Sequence, residues 1–152
     1  MRILFVCLGN ICRSPTAEGV FKAKVAEAGL EAVFEADSAG TGDWHLGQAP
    51  DRRAQAACRA HGVDIARHRA RQVRRQDFED FDLILGCDKE NVRDLIDIAP
   101  VACRHKVKGL VAYAPDCGYN EVPDPYYGGP EGFETVFKLC EAAAEGILRQ
   151  HA

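Results

Sequence analysis

Ile3-Leu4-Phe5-Val6-Cys7-Leu8-Gly9-Asn10-Ile11-Cys12-Arg13-Ser14-Pro15 is the stretch around which this chain is organised. Its first four residues are an apolar run that reads as a buried strand. Beyond it, Ala17, Val20, Phe21 and Ala28 follow a helical pattern. Ser14-Pro15 is a helix-start signal: the serine can cap free N–H groups, and proline suits the first turn. The segment between is therefore a tight turn from the carboxyl end of a strand to the amino end of a helix. Unpaired N–H groups and the positive end of the helix dipole make such a turn an anion site. Gly9 and Asn10 tolerate left-handed backbone angles, so the turn wraps and its amides, from Leu8, Gly9, Asn10, Ile11 and Cys12 to Ser14, converge. Arg13 adds a planar fork that can grip two phosphate oxygens. At the base of this cup sits Cys7, and the field that attracts a dianion favours a thiolate. A thiolate under a bound phosphate is a nucleophile aimed at phosphorus.

A cysteine followed six residues later by an arginine is by itself a weak pattern. Cys87 and Arg93 repeat it after the apolar run Leu83-Ile84-Leu85. The interior of that second copy, Asp88-Lys89-Glu90-Asn91-Val92, has no glycine and carries two carboxylates that repel phosphate. Cys87 therefore reads as a structural cysteine.

With 152 residues, 47% of them apolar, the whole chain 1–152 fits one compact domain with a substantial core. A net charge of −4 argues against a general nucleic-acid or anionic-membrane binder. Seven cysteines are an odd and irregularly spaced set, and no secretory leader precedes the first strand, so the expectation is a reduced, cytoplasmic protein. No apolar run approaches the roughly 20 residues that span a bilayer. No Cys-x-x-Cys pair exists, which makes zinc a poor reading.

Strands and helices alternate along the chain. A second strand is expected over Ala32–Ala36, helices over 50–61 and 88–97, a third strand over Phe81–Gly86 and a fourth over Val107–Tyr113. The last helix carries one apolar stripe, Phe133, Val136, Phe137, Cys140, Ala144, Ile147 and Leu148. This order implies a single-domain α/β three-layer sandwich: a central four-stranded parallel sheet, helices on both faces, and the site outside the strands' carboxyl ends. Residues 113–130 form a long loop, a length that usually carries function or disorder. Arg67 to Arg75 holds five arginines and His68; the acidic run that follows favours a solvated turn over a nucleic-acid patch. Trp44 reads either as core packing or, in its Gly/Asp-flanked loop, as an aromatic wall. Ser38 reads either as a turn serine or as a hydroxyl within reach of Asn10.

Cys7 to Pro15 resembles the signature of the low-molecular-weight protein tyrosine phosphatases, and the likeness extends over nearly the whole chain. Asp124-Pro125-Tyr126-Tyr127-Gly128 is similar to that family's general-acid loop. Asp37-Ser38-Ala39-Gly40-Thr41, Trp44, His68-Arg69-Ala70-Arg71-Gln72, and Asp88 with Asn91 fall where the family has similar segments. The resemblance implies Cys7 as nucleophile, Arg13 as phosphate clamp and Asp124 as general acid, on the stiff segment Pro123-Asp124-Pro125. It implies loop support from Ser38 and His68, and pocket walls from Trp44, Tyr126 and Tyr127. The implied reaction is hydrolysis of phosphotyrosine and other aryl phosphates through a cysteinyl-phosphate, with kcat/KM bell-shaped in pH and optimal below neutral. No metal or organic cofactor is required for it. The implied partners are phosphotyrosine-containing proteins, a cognate tyrosine kinase among the candidates. The sequence is silent on oligomeric state. Cys12 either fills space within the loop or forms a reversible disulfide with Cys7.

Three rivals are weaker. Thioredoxin-coupled arsenate reductases share the loop and use further cysteines after the third strand. Cys87 stands there, where the phosphatases usually have methionine, but the position two helical turns on is Asp94. A non-catalytic phosphotyrosine-binding module would have no use for Cys7 or Asp124. A DNA-binding reading rests on Arg67 to Arg75 alone.

Overall fold

A computed structural model describes residues 1–152. Strand β1 (Arg2–Cys7) is buried from Ile3 to Cys7 on both faces, as the central strand of a parallel sheet must be. It pairs in parallel with β2 (Glu35–Gly40) on one side and β3 (Leu83–Gly86) on the other. β3 in turn pairs with β4 (Val107–Gly109), giving the order β2-β1-β3-β4. Chain direction across the sheet reverses at β1, so the crevice beyond its carboxyl end is the place where such sheets bind ligands.

The alternation of β1 side chains divides the core. Ile3, Phe5 and Cys7 join the larger cluster, with Val20 and Phe21 of α1 (Arg13–Glu27), Ala54 and Cys58 of α2 (Arg52–Ala60), and Phe133, Phe137 and Ile147 of α5 (Pro130–His151). Leu4 and Val6 join the smaller one, with Phe78 of α3 (Asp77–Asp80) and Leu95 of α4 (Lys89–Ile98). Helices thus cover both faces, the three layers that the sequence implies. No helix is long and apolar enough to cross a membrane.

Three strands differ from expectation; the smallest difference is in β3, which begins at Leu83 rather than Phe81 because Phe81 closes α3 with its N–H on the Asp77 carbonyl. β2 begins at Glu35, three residues later than the apolar pattern suggests, because Leu30 to Phe34 form a turn that closes on the Leu30 carbonyl. Phe34 then packs edge-on against Phe21, with centroids 5.5 Å apart. β4 stops at Gly109, and Leu110–Tyr113 coils into a 3₁₀ turn. That turn lies directly on α5: a Cβ at Gly146 would stand 1.8 Å from the Tyr113 carbonyl oxygen. Burial of Leu110 and Tyr113 against α5 outweighs extension of the sheet edge.

Candidate active site

The turn between β1 and α1 forms the cup that the sequence predicts. Asn10 takes the one left-handed non-glycine conformation in the chain, φ 57°, which turns the backbone back on itself. Its N–H points at the Cys7 sulfur at 3.3 Å. The amides of Leu8, Gly9, Ile11, Cys12, Arg13 and Ser14 meet no acceptor within the protein, so they remain available to an anion at the helix end.

Ser14 is not the helix cap. Cys12 stands at the cap with no side-chain bond, and Ser14 lies one position inside the helix. Its hydroxyl oxygen accepts from Asn10 Nδ2 at 2.8 Å and lies 3.0 Å from Cys7 Sγ. Its O–H has two acceptors in reach, the Ala39 carbonyl at 3.4 Å and the closer sulfur, which is the stronger acceptor when it is anionic. Beneath the β-strand end the requirement for a partner to Cys7 has displaced the capping role.

Asn10 is fully buried and spends its whole side chain on the loop. Nδ2 donates to Ser14 Oγ and, at 3.0 Å, to Ser38 Oγ. Oδ1 accepts from the Arg71 amide at 3.0 Å, which settles the orientation of the amide group. Oδ1 also meets His68 Nε2 at 3.0 Å, so that nitrogen carries the proton. Ser38 and His68 therefore both contact the Asn10 side chain of the loop. Glu18 completes this network and carries no role in the sequence reading. Its Oε1 accepts from Ser38 Oγ at 2.7 Å and lies 3.6 Å from His68 Nδ1. Its spacing to Lys22 marks it only as half of an i,i+4 surface pair, which also forms. Burial lowers the pKa of His68, against the opposing pull of the Glu18 carboxylate. The arginine run is partly committed here too, since Arg71 bridges Asp37 at 3.1 Å and Asp77 at 3.0 Å.

Arg13 is 3% exposed and clamped from behind. Nη1 donates to Asp88 Oδ2 at 2.7 Å and to the Val122 carbonyl at 3.1 Å. Burial by itself would lower its pKa; the Cys7 sulfur and the hydrogen bond and charge of Asp88 carry it above the ordinary value instead. Nε and Nη2 make no hydrogen bond within the protein, which leaves one edge of the fork for an oxyanion. Asp88 is the second residue whose role the sequence conceals. Its other oxygen, Oδ1, accepts from the Asn91 amide at 2.7 Å and caps α4. A capping box is the legible half of its work, and the clamp is the hidden half.

Across the cup, Asp124 Oδ2 lies 3.8 Å from Arg13 Nη2, half-exposed, while Oδ1 accepts from the Tyr126 amide at 3.1 Å. A cleft of about 420 Å³ joins Cys7, Leu8, Ile11, Cys12, Arg13, Trp44, Asp124, Tyr126 and Tyr127. His45 also lines it, a residue that sequence reasoning passes over beside the more conspicuous Trp44. Tyr126 and Tyr127 meet edge to face at 5.0 Å. Arg53 braces this wall, with its guanidinium 5.5 Å from the Tyr126 ring and Nη2 donating to the Tyr126 carbonyl at 2.9 Å. Asp51, whose carboxyl the Arg53 bond holds below its usual range, fixes Arg53 in turn. On the opposite wall Trp44 folds over Gly42, where a Cβ would lie 1.9 Å from the ring. Trp44 is a wall rather than core: it is 67% exposed.

Four of the other cysteines, Cys12, Cys58, Cys87 and Cys140, are buried. Burial raises the pKa of Cys12, Cys87 and Cys140, which keeps them as neutral thiols. Cys87, with its amide on the Val6 carbonyl and its carbonyl on the Val122 amide, is a packed structural residue.

The family model described as low molecular weight phosphotyrosine protein phosphatase matches residues 2–151. A low molecular weight protein-tyrosine-phosphatase of Streptomyces coelicolor is 47% identical over 150 residues, covering 97% of this chain and 91% of that one. The crystal structure of a protein tyrosine phosphatase from Entamoeba histolytica superposes with a TM-score of 0.96 at 39% identity, covering 99% of this chain and 96% of that chain. That of YfkJ from Bacillus subtilis gives 0.92 at 42% identity, covering 99% and 93%.

Proposed function

Since the chain belongs to the low molecular weight phosphotyrosine protein phosphatase family, we propose that it hydrolyses phosphotyrosine in proteins through a cysteinyl-phosphate on Cys7. The observation that carries this reading is the Cys7 sulfur at the floor of a cup of unpaired amides, held by Ser14 Oγ at 3.0 Å and the Asn10 amide at 3.3 Å.

In the first step the Cys7 thiolate attacks phosphorus in line with the aryl oxygen. A sulfur–phosphorus bond forms as the phosphorus–aryl oxygen bond breaks, and Asp124 gives its proton to the departing phenolate. The loop amides and the free edge of Arg13 hold the three equatorial oxygens, on which charge is spread in the transition state. In the second step Asp124, now a carboxylate, takes a proton from water while the water oxygen attacks phosphorus. The sulfur–phosphorus bond breaks, releasing inorganic phosphate and the thiolate. Ser14, donating to the sulfur, stabilises the anion as attacking group and as leaving group. Selectivity for aryl esters follows from depth. Cys7 is buried at the bottom of the cleft, and Trp44 and Tyr126 flank its mouth, so a long flat side chain reaches the cup while the shorter phosphoserine does not.

Hydrolysis of p-nitrophenyl phosphate against an alkyl phosphate tests the reading. Wild type turns over the aryl ester, Cys7→Ser abolishes turnover, and Asp124→Ala lowers kcat by about 10²–10⁴-fold. Absence of turnover by folded, reduced wild type would sink the catalytic assignment.

A further inference from the structure

Next to the active-site cleft lies a second hollow of about 320 Å³, on the far side of Trp44. Leu8 and Trp44 line both, so the two are separated only by the indole wall. The opposite bank of the second hollow is one face of α4: Asp94, Asp97 and Ile98, at i, i+3 and i+4 spacing. The floor and near side are apolar or neutral, from Leu8, Thr41 and Gly42.

Two features distinguish this groove from ordinary surface. Its apolar residues are exposed together: Leu8 at 42%, Trp44 at 67% and Ile98 at 51%. Its carboxylates are also unspent. The carboxylates that line or brace the active-site cleft are engaged by contrast, Asp88 with Arg13, Asp51 with Arg53, Glu18 with Ser38 and Asp124 with the Tyr126 amide. Asp94 and Asp97 have neither an ion-pair partner nor a side-chain hydrogen bond, and no cation lines the hollow. Across the cleft, by contrast, the Tyr126 wall is backed by a neutralised Asp51–Arg53 pair.

We propose that this groove is a specificity subsite for the polypeptide that carries the phosphotyrosine, taking a lysine or arginine close to the phosphorylated residue on the Trp44 side. This rests on the phosphatase reading. The occupant is set by charge and shape. The aliphatic stem of a basic side chain lies on Leu8, Trp44 and Ile98, a surface suited to both dispersion and cation–π contact, and its charged head reaches Asp94 and Asp97. An acidic or large neutral side chain gains only the apolar half of that contact, and a carboxylate meets two like charges. The groove and the cleft share the Trp44 wall, so a main chain whose phosphotyrosine fills the cup and which leaves on the Trp44 side passes over the groove's rim.

The test is a set of phosphotyrosine peptides with lysine, glutamine or glutamate scanned through the three positions on either side of the phosphotyrosine. Each is assayed with wild type and with the Asp94→Asn/Asp97→Asn double variant, and p-nitrophenyl phosphate serves as a substrate with no flanking chain. The wild type should favour lysine over glutamate on one side by about two- to fivefold in kcat/KM at low salt, the range for part-exposed ion pairs. That preference should shrink in about 0.5 M salt and collapse in the double variant, while turnover of p-nitrophenyl phosphate stays unchanged. Equal rates for lysine and glutamate peptides, or a lysine preference that survives in the double variant, would overturn the subsite and leave the phosphatase reading standing. Failure to hydrolyse p-nitrophenyl phosphate would overturn that reading and this proposal together.

Discussion

Asp88 carries two tasks on two oxygens, and substitution there separates them. Oδ2 takes Arg13 Nη1 at 2.7 Å and Oδ1 takes the Asn91 amide at 2.7 Å. Asp88→Ala removes both. Arg13, 3% exposed, then keeps its charge with the Val122 carbonyl as its one hydrogen-bond partner and the half-exposed Asp124 carboxylate 3.8 Å away. Stranding a buried charge costs about 3–5 kcal/mol, and losing an N-cap costs about 1 kcal/mol. Relaxation of the part-exposed site toward solvent offsets some of this, so a loss of about 4 kcal/mol in unfolding free energy is expected. Asp88→Asn keeps the shape but has one acceptor oxygen where the carboxylate has two. It can serve Arg13 or the helix, not both, and the bond it keeps is no longer between opposite charges. A loss of about 2 kcal/mol follows. Urea denaturation gives both values, and the order wild type, Asn, Ala is the signature. Catalysis should suffer more than stability suggests, because Asp88 fixes the guanidinium that meets the phosphoryl oxygens in the proposed mechanism. Misplacement by about 1 Å costs about 100-fold, so kcat/KM for an aryl phosphate should fall by about that factor in Asp88→Ala. If Asp88→Ala stays within about 1 kcal/mol and threefold of wild type, the clamp holds nothing and the reasoning fails.

Two further outcomes follow from the walls and supports of the cleft. Gly42→Ala places a methyl group 1.9 Å from the Trp44 ring, so the indole must swing away; KM for aryl phosphates should rise several-fold with stability nearly unchanged, and an unaltered KM would show that Trp44 is no wall. The pKa of His68 is lowered in the folded state, so the unfolded chain takes up a proton first, at about pH 6.5. The contribution of His68 to stability is then complete above that value and is lost as pH falls through the folded value. Urea midpoints at pH 7.5 and 5.5 should converge in His68→Gln relative to wild type, and an identical pH dependence in the two proteins would remove His68 as its source.

Much of the molecule is legible in local sequence. The strand, the phosphate turn and the first helix lie within one run of residues, where hydrophobic period, glycine, asparagine and proline act over a few positions. The last helix declares itself by its stripe. The errors have local causes as well. The apolar pattern placed β2 too early because its polar residues, Asp37 and Ser38, serve the loop rather than the core. Val107–Tyr113 looks like a strand throughout, and only the close approach of α5 at Gly146 turns its second half into a 3₁₀ turn.

The sequence by itself determined the turn that sets Cys7 at the base of a cradle of amides and the alternation that builds a parallel sheet, because these depend on neighbours in the chain. Tertiary structure alone decided which contacts hold that site in shape. His68 meets Asn10 from 58 residues away, Ser38 from 28, Asp88 clamps Arg13 from 75, and the Val122 carbonyl does so from 109. Glutamate, aspartate and histidine at those positions have the same local signature as surface residues. What separates them is burial beside one loop, and burial is set only when the sheet closes and brings distant segments over the carboxyl end of β1.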